Sequence, residues 1–207
     1  MKKKLFVIFM VVAVCGVGLF LFFTKNNYKI AEFGNTNIKS VDGIKDYILN
    51  LDSYEAIIEI EVSSNKNQNK YIAKQSYKAP NIAKQEVIEP QSVKGLITTY
   101  DGKNLKVENT KLNLSKLYEN YQYIAENNLW LSDFISDYKT VENKEVKEEE
   151  NTVIMSVKVQ KEAKKQITKT LYIDKKTLKP TKLTIEDENK KTLVYIQYNE
   201  IKINSSR

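Results

Sequence analysis

Apolar and polar positions change their period several times along the chain, and each change marks an element. Leu5 to Phe23 is an unbroken run of nineteen apolar or small residues, with Lys2, Lys3 and Lys4 before it and Thr24-Lys25 after it. At ~1.5 Å per residue it spans about 28 Å as a helix, close to the ~30 Å hydrocarbon thickness of a bilayer. Fourteen of the nineteen are Leu, Ile, Val or Phe, which favours insertion by about 4 to 8 kcal/mol at roughly −0.3 to −0.6 kcal/mol each. From Lys39 to Leu51 the apolar residues Val41, Ile44, Ile48 and Leu51 fall three and four apart, which predicts one amphipathic helix. The period then becomes two. In Tyr54 to Val62, Tyr54, Ala56, Ile58, Ile60 and Val62 alternate with Glu55, Glu59 and Glu61, as in a half-buried antiparallel strand.

The same reading predicts strands over Lys70 to Lys78, Ile82 to Ile88, Lys94 to Tyr100 and Leu105 to Glu108, with Pro80-Asn81 and Asp101-Gly102 as turns. Further strands are predicted over Thr152 to Gln160, Thr168 to Ile173, Thr181 to Glu186 and Thr192 to Ile203. Their connections are too short for crossover helices, which excludes a parallel βαβ sheet and predicts a meander. Between the two sets of strands, Leu117, Tyr121, Ile124 and Ala125, then Leu131, Phe134, Ile135 and Tyr138, recur at helical spacing. Ser115 to Tyr138 is therefore predicted as a helix broken into two at Asn127-Asn128. The aromatic residues of this pair are expected to cover one face of the sheet. Tyr118, Tyr121, Ile124, Trp130, Leu131 and Phe134 are also the candidate lining of a ligand cavity or partner groove.

Charge and residue counts narrow the chemistry. With no histidine in 207 residues, a Ser-His-Asp triad, a Cys-His dyad and a histidine-ligated metal site are excluded. The one cysteine, Cys15, lies inside the apolar run, and the one arginine is Arg207. The rest of the chain therefore has neither a thiol nor a guanidinium clamp for phosphate. The chain holds 33 Lys+Arg and 26 Asp+Glu. Setting aside the four lysines of residues 1–25 leaves 29 against 26, a net of +3, with the two signs interleaved as in Lys144-Glu145-Val146-Lys147-Glu148-Glu149-Glu150. Such interleaving predicts a solvated loop rather than a nucleic-acid face or a pair of catalytic carboxylates. No catalytic residues, metal ligands or cofactor site are predicted.

The lysine asymmetry orients the run with its N-terminus in the cytoplasm and the remainder outside. Two anchors compete. One is a transmembrane helix; the other is a lipoprotein signal ending in Val12-Ala13-Val14-Cys15, with lipidation at Cys15. The organisation expected is an anchor or signal over 1–25, a spacer over 26–38, and one domain over 39–207.

Tyr77-Lys-Ala-Pro-Asn-Ile-Ala-Lys-Gln-Glu-Val-Ile-Glu-Pro90, Tyr100-Asp-Gly-Lys103, Asn113-Leu-Ser-Lys-Leu117, Asn128-Leu-Trp-Leu131, Leu171-Tyr-Ile-Asp174 and Thr177-Leu-Lys-Pro180 resemble the clostridial germination lipoproteins of the GerS type. These belong to the LolA-like group of lipoprotein carriers. The resemblance implies an α+β fold, mainly antiparallel β: an incomplete barrel, or curved sheet, whose concave face is covered by helices. It also implies a non-enzymatic role in spore germination as partner of a cortex amidase. The alternative it implies is a carrier whose concavity holds lipid or lipoprotein acyl chains.

Overall fold

The computed structural model describes residues 40–63, 67–121, 129–160 and 166–205. Leu5 to Phe23, Cys15, the spacer and Ile124 lie outside the described residues. Among the described residues, no helix is long and apolar enough to cross a membrane.

Among the described residues, eleven antiparallel strands form one open sheet. In chain order they are β1 (Leu51–Ser63), β2 (Gln68–Lys78), β3 (Ile82–Glu89), β4 (Leu96–Asp101), β5 (Leu105–Asn109), β6 (Leu114–Tyr118), β7 (Lys144–Glu149), β8 (Thr152–Gln160), β9 (Gln166–Asp174), β10 (Lys179–Asp187) and β11 (Thr192–Ser205). Among the described residues two helices accompany them, α1 (Val41–Leu49) before β1 and α2 (Leu131–Thr140) between β6 and β7. The spatial order is β6-β5-β4-β3-β2-β1-β11-β10-β9-β8-β7. The sheet is thus two meanders, β1–β6 and β7–β11, joined where β1 pairs with β11. That seam runs from Leu51 opposite Ser205 to Val62 opposite Val194, with register shifts near each end of Ser53–Ile57. Such shifts raise the local twist.

Alternation explains which face is inside. Tyr54, Ala56, Ile58 and Ile60 of β1, Val153, Met155 and Val157 of β8, and Leu171 and Ile173 of β9 are all buried. Ile44 and Ile48 of α1 and Leu131 and Phe134 of α2 join the same cluster, so the helices cover the inner face. α1 begins where the Ser40 hydroxyl accepts from the Gly43 amide at 3.1 Å, an N-cap bond of the ordinary kind.

Two elements differ from expectation. Residues 115–118 are strand, not the first half of a helix pair. Asn113 and Asn120 adopt φ of 51° and 52° on either side, a conformation that interrupts a helix and that asparagine tolerates better than most residues. The run at Lys144–Glu149 is strand β7, paired with β8 from Lys144 opposite Val157 to Glu149 opposite Thr152. It is solvated, as its charge predicts, but it is not a loop.

Candidate functional site

Helix α2 is fastened to the sheet at three points. Before its first turn, the fully buried Gln75 amide donates to the Leu129 carbonyl at 3.1 Å and to Gln85 Oε1 at 2.8 Å, and its Oε1 accepts from the Tyr54 hydroxyl at 3.2 Å. Beyond its last turn, Lys144 Nζ donates to the Tyr138 carbonyl at 2.8 Å, and the Tyr138 hydroxyl donates to the Glu145 carbonyl at 3.2 Å. Its middle is held by Lys169, which reaches Asp133 Oδ2 and Asp137 Oδ2, each at 2.5 Å.

Lys169 occupies the core-facing phase of β9 between Ile167 and Leu171, and its side chain is 2% exposed against 4% for Asp133. A charge so buried is tolerated only with partners. Sequence reasoning did not single out this group. Its signal is a lysine where the strand's alternation demands an apolar residue, matched by two aspartates four apart on one helix.

The five candidate groove residues that are described do not come together. Trp130, Leu131 and Phe134 are core: Trp130 occupies the N-cap position of α2, and the Phe134 ring meets that of Tyr138 at 5.8 Å. Tyr118 is exposed on the edge strand β6, where its ring lies 6.0 Å from that of the half-buried Tyr121. Ile124 lies outside the described residues.

Two surface features remain. A cleft of about 410 Å³ lies where α1, α2 and β7 meet, lined by Lys45, Leu49, Tyr138, Lys144 and Val146 among others. Lys45 is held charged by Asp42, 2.6 Å away, which raises its pKa above the ordinary lysine value. The second feature is the β6 edge. Leu112, Leu114 and Leu117 are 61%, 60% and 54% exposed. This edge is fixed at both ends. The buried Asn109 side chain accepts from the Lys111 and Leu112 amides at 3.1 and 3.2 Å, and the Tyr121 amide donates to the Lys103 carbonyl at 2.8 Å.

Buried phenols mark the interior. Burial pushes the Tyr54 hydroxyl well above its ordinary value and that of Tyr198 likewise upward. The Tyr198 hydroxyl has no hydrogen-bond partner among the described residues.

An open antiparallel sheet with helices laid on its inner face is the mainly antiparallel α+β architecture expected above. The chain belongs to the family described as "Sporulation protein YdcC-like", which matches residues 1–206. No curated protein matches it. Among solved structures, it is similar to an uncharacterized conserved protein from Thermus thermophilus, with 15% identity and a TM-score of 0.51 over 80% of this chain and 88% of that one. It is also similar to a chain of the complex between the CwlD amidase of Clostridioides difficile and the GerS lipoprotein. There the identity is 23% and the TM-score 0.48, over 84% of this chain and 97% of that one. A LolA superfamily protein from Nitrosomonas europaea shares 9% identity with a TM-score of 0.40, over 81% and 95% of the two chains.

Proposed function

We propose that this protein is a non-catalytic, membrane-anchored protein on the extracytoplasmic side of the sporulating cell's envelope, and that it serves germination by binding a cortex-modifying amidase. The observation that carries this reading is the apolar β6 edge of a sporulation-family chain. Leu114 and Leu117 on the strand and Leu112 in the turn just before it are each more than half exposed, on a segment held in place at both ends, and exposed apolar surface of this kind marks partner contacts. The amidase is the partner implied by the resemblance of Tyr77–Pro90 and the segments after it to GerS-type proteins. The solved complex of CwlD with GerS names the enzyme class to test.

The test is co-purification of the full-length chain with the cortex amidase from sporulating cells, together with peptidoglycan hydrolysis by each alone. A stable complex in which only the amidase hydrolyses cortex supports the reading. Hydrolysis by this chain alone, or no complex, overturns it. The anchor is tested in the same membranes. If Leu5 to Phe23 spans the bilayer, Cys15→Ala stays membrane-bound and the parent takes up no fatty-acid label. Label that depends on Cys15 assigns lipidation instead.

The cleft between α1, α2 and β7 favours a second reading, the binding of a lipid or lipoprotein acyl chain. Leu49, Tyr138 and Val146 offer an apolar wall, bordered by Lys139, by Lys45 already paired with Asp42, by Lys144 already bonded to the Tyr138 carbonyl, and by Glu145. Mass spectrometry of lipid retained by the purified full chain separates the two readings.

A further inference from the structure

The two edges of the sheet are built differently. β7, at one edge, is Lys-Glu-Val-Lys-Glu-Glu, with five charged residues in six. Charge of this density on an edge prevents strands of other chains from adding to it. β6, at the other edge, is Leu-Ser-Lys-Leu-Tyr, with one charged residue in five. Among the described residues no strand pairs with its outer side, and an apolar edge of this kind is a template for a further strand.

We infer that β6 is the docking element for the partner, which adds an extended strand carrying an acidic residue opposite Lys116 and apolar residues beside it. This rests on the partner-binding reading above and specifies its mode. Leu114, Lys116 and Tyr118 lie on the face that β5 continues through Asn109, Val107 and Leu105. A strand added there would extend the apolar surface reaching the buried Leu105.

Charge selects the occupant. Lys116 sits 4.7 Å from the Tyr118 ring centroid and forms no ion pair among the described residues. Between Asn109 and Tyr118 the chain carries Lys111 and Lys116 and no acid. A second copy added antiparallel with full overlap would centre on Lys116 and place that lysine against its own equivalent, and like charges directly opposite are destabilising. A strand with an acid at that position gains where the second copy loses. The fixed ends of β6 reduce the ordering that binding must supply.

Three measurements decide the inference. The first is amidase affinity for the full-length chain and its variants. Lys116→Glu and Leu117→Lys are expected to weaken binding roughly tenfold or more, the scale of losing a central interface contact, whereas Lys116→Arg retains it. The second is hydrogen exchange, in which the amides of 114–118 should slow in the complex. Docking through side chains alone would leave the outward amides of the edge fast.

The third is photo-crosslinking from position 117 in sporulating cells. If the amidase binds but none of the variants changes its affinity and 114–118 stay unprotected, the edge is wrong while the partner-binding reading stands. If the amidase does not bind and position 117 crosslinks to another identified envelope protein that protects 114–118, the edge stands and the amidase falls. Crosslinks only to lipid, to a second copy or within the same chain, or no crosslink, overturn the edge.

Discussion

Replacing Lys169 by methionine tests whether the buried ion group holds α2 to the sheet. The substitution keeps the length of the side chain and removes its charge. Asp133 is then left 4% exposed with its cation gone, and Asp137, at 22% exposure, retains water on one side. The burden therefore falls on Asp133. Removing one partner of a buried pair costs about 3 to 5 kcal/mol, because the remaining carboxylate loses its counter-charge without gaining water. Against a total of about 5 to 15 kcal/mol, that is a large share of the stability.

The triple change Lys169→Met, Asp133→Leu, Asp137→Leu removes every charge of the group, and by the same reasoning it restores stability to near that of the parent or above it. Urea titration followed by tryptophan fluorescence is suited to the measurement, since Trp130 adjoins the start of α2. The single variant should lower the midpoint with an unchanged slope, and the triple variant should recover it. A single variant within about 1 kcal/mol of the parent, the range of a surface substitution, would refute the argument. So would a triple variant as unstable as the single one.

Three further outcomes follow from the same structure. Trp130→Ala should cost about 3 to 5 kcal/mol through lost transfer energy and a cavity, read as a lower unfolding midpoint; an unchanged midpoint would show that the buried ring is not structural. Tyr198→Phe removes a buried hydroxyl that lacks a partner among the described residues, so it should raise stability by about 1 kcal/mol. Because burial raises the Tyr198 pKa above 10.0, the parent loses stability as pH climbs past 10, and the phenylalanine variant should lose less in a thermal-melt series across that range. Asp174 accepts from the Thr177 hydroxyl and amide, each at 2.7 Å, and these bonds lower its pKa below 3.8. Its contribution is present above that value and is lost as pH falls through the folded one, so Asp174→Asn should flatten the acid limb of the stability profile.

The elements legible in the sequence are those whose pattern is imposed by burial. β8 has its predicted bounds, Thr152 to Gln160, because Val153, Met155 and Val157 must all face the core. The second half of the predicted helix pair is real for the same reason, with Leu131, Phe134, Ile135 and Tyr138 buried. The two edge strands escaped because most of their side chains are exposed. β6 and β7 owe their conformation to backbone pairing on one side, which leaves no periodic signature in the side chains, and in β6 the leucines even mimic helical spacing.

The order of the sheet was also hidden, since alternation marks a strand without naming its neighbour. The candidate groove was drawn from one helical reading of 115–138, but 115–118 are strand, so Tyr118 belongs to the edge and Trp130 to the core. The Lys169 group joins residues 36 apart in sequence, and no local window contains both halves.

The seam between β1 and β11 carries a consequence for synthesis. The strands at the middle of the sheet come from the two ends of the folded domain, and Asn204 Nδ2 meets Ser53 Oγ across 151 positions at 3.1 Å. Ser205 also donates its hydroxyl to the Asn50 carbonyl at 2.7 Å, which ties the last strand to the end of α1. Contacts at such separation form slowly, because a long loop must close before they are gained. The growing chain can assemble one meander while it emerges, but the flank of β1 stays bare until β11 has been made. A premature stop within the final strand would therefore cut the sheet at its centre, leaving two half-sheets with raw edges where the parent has one continuous wall.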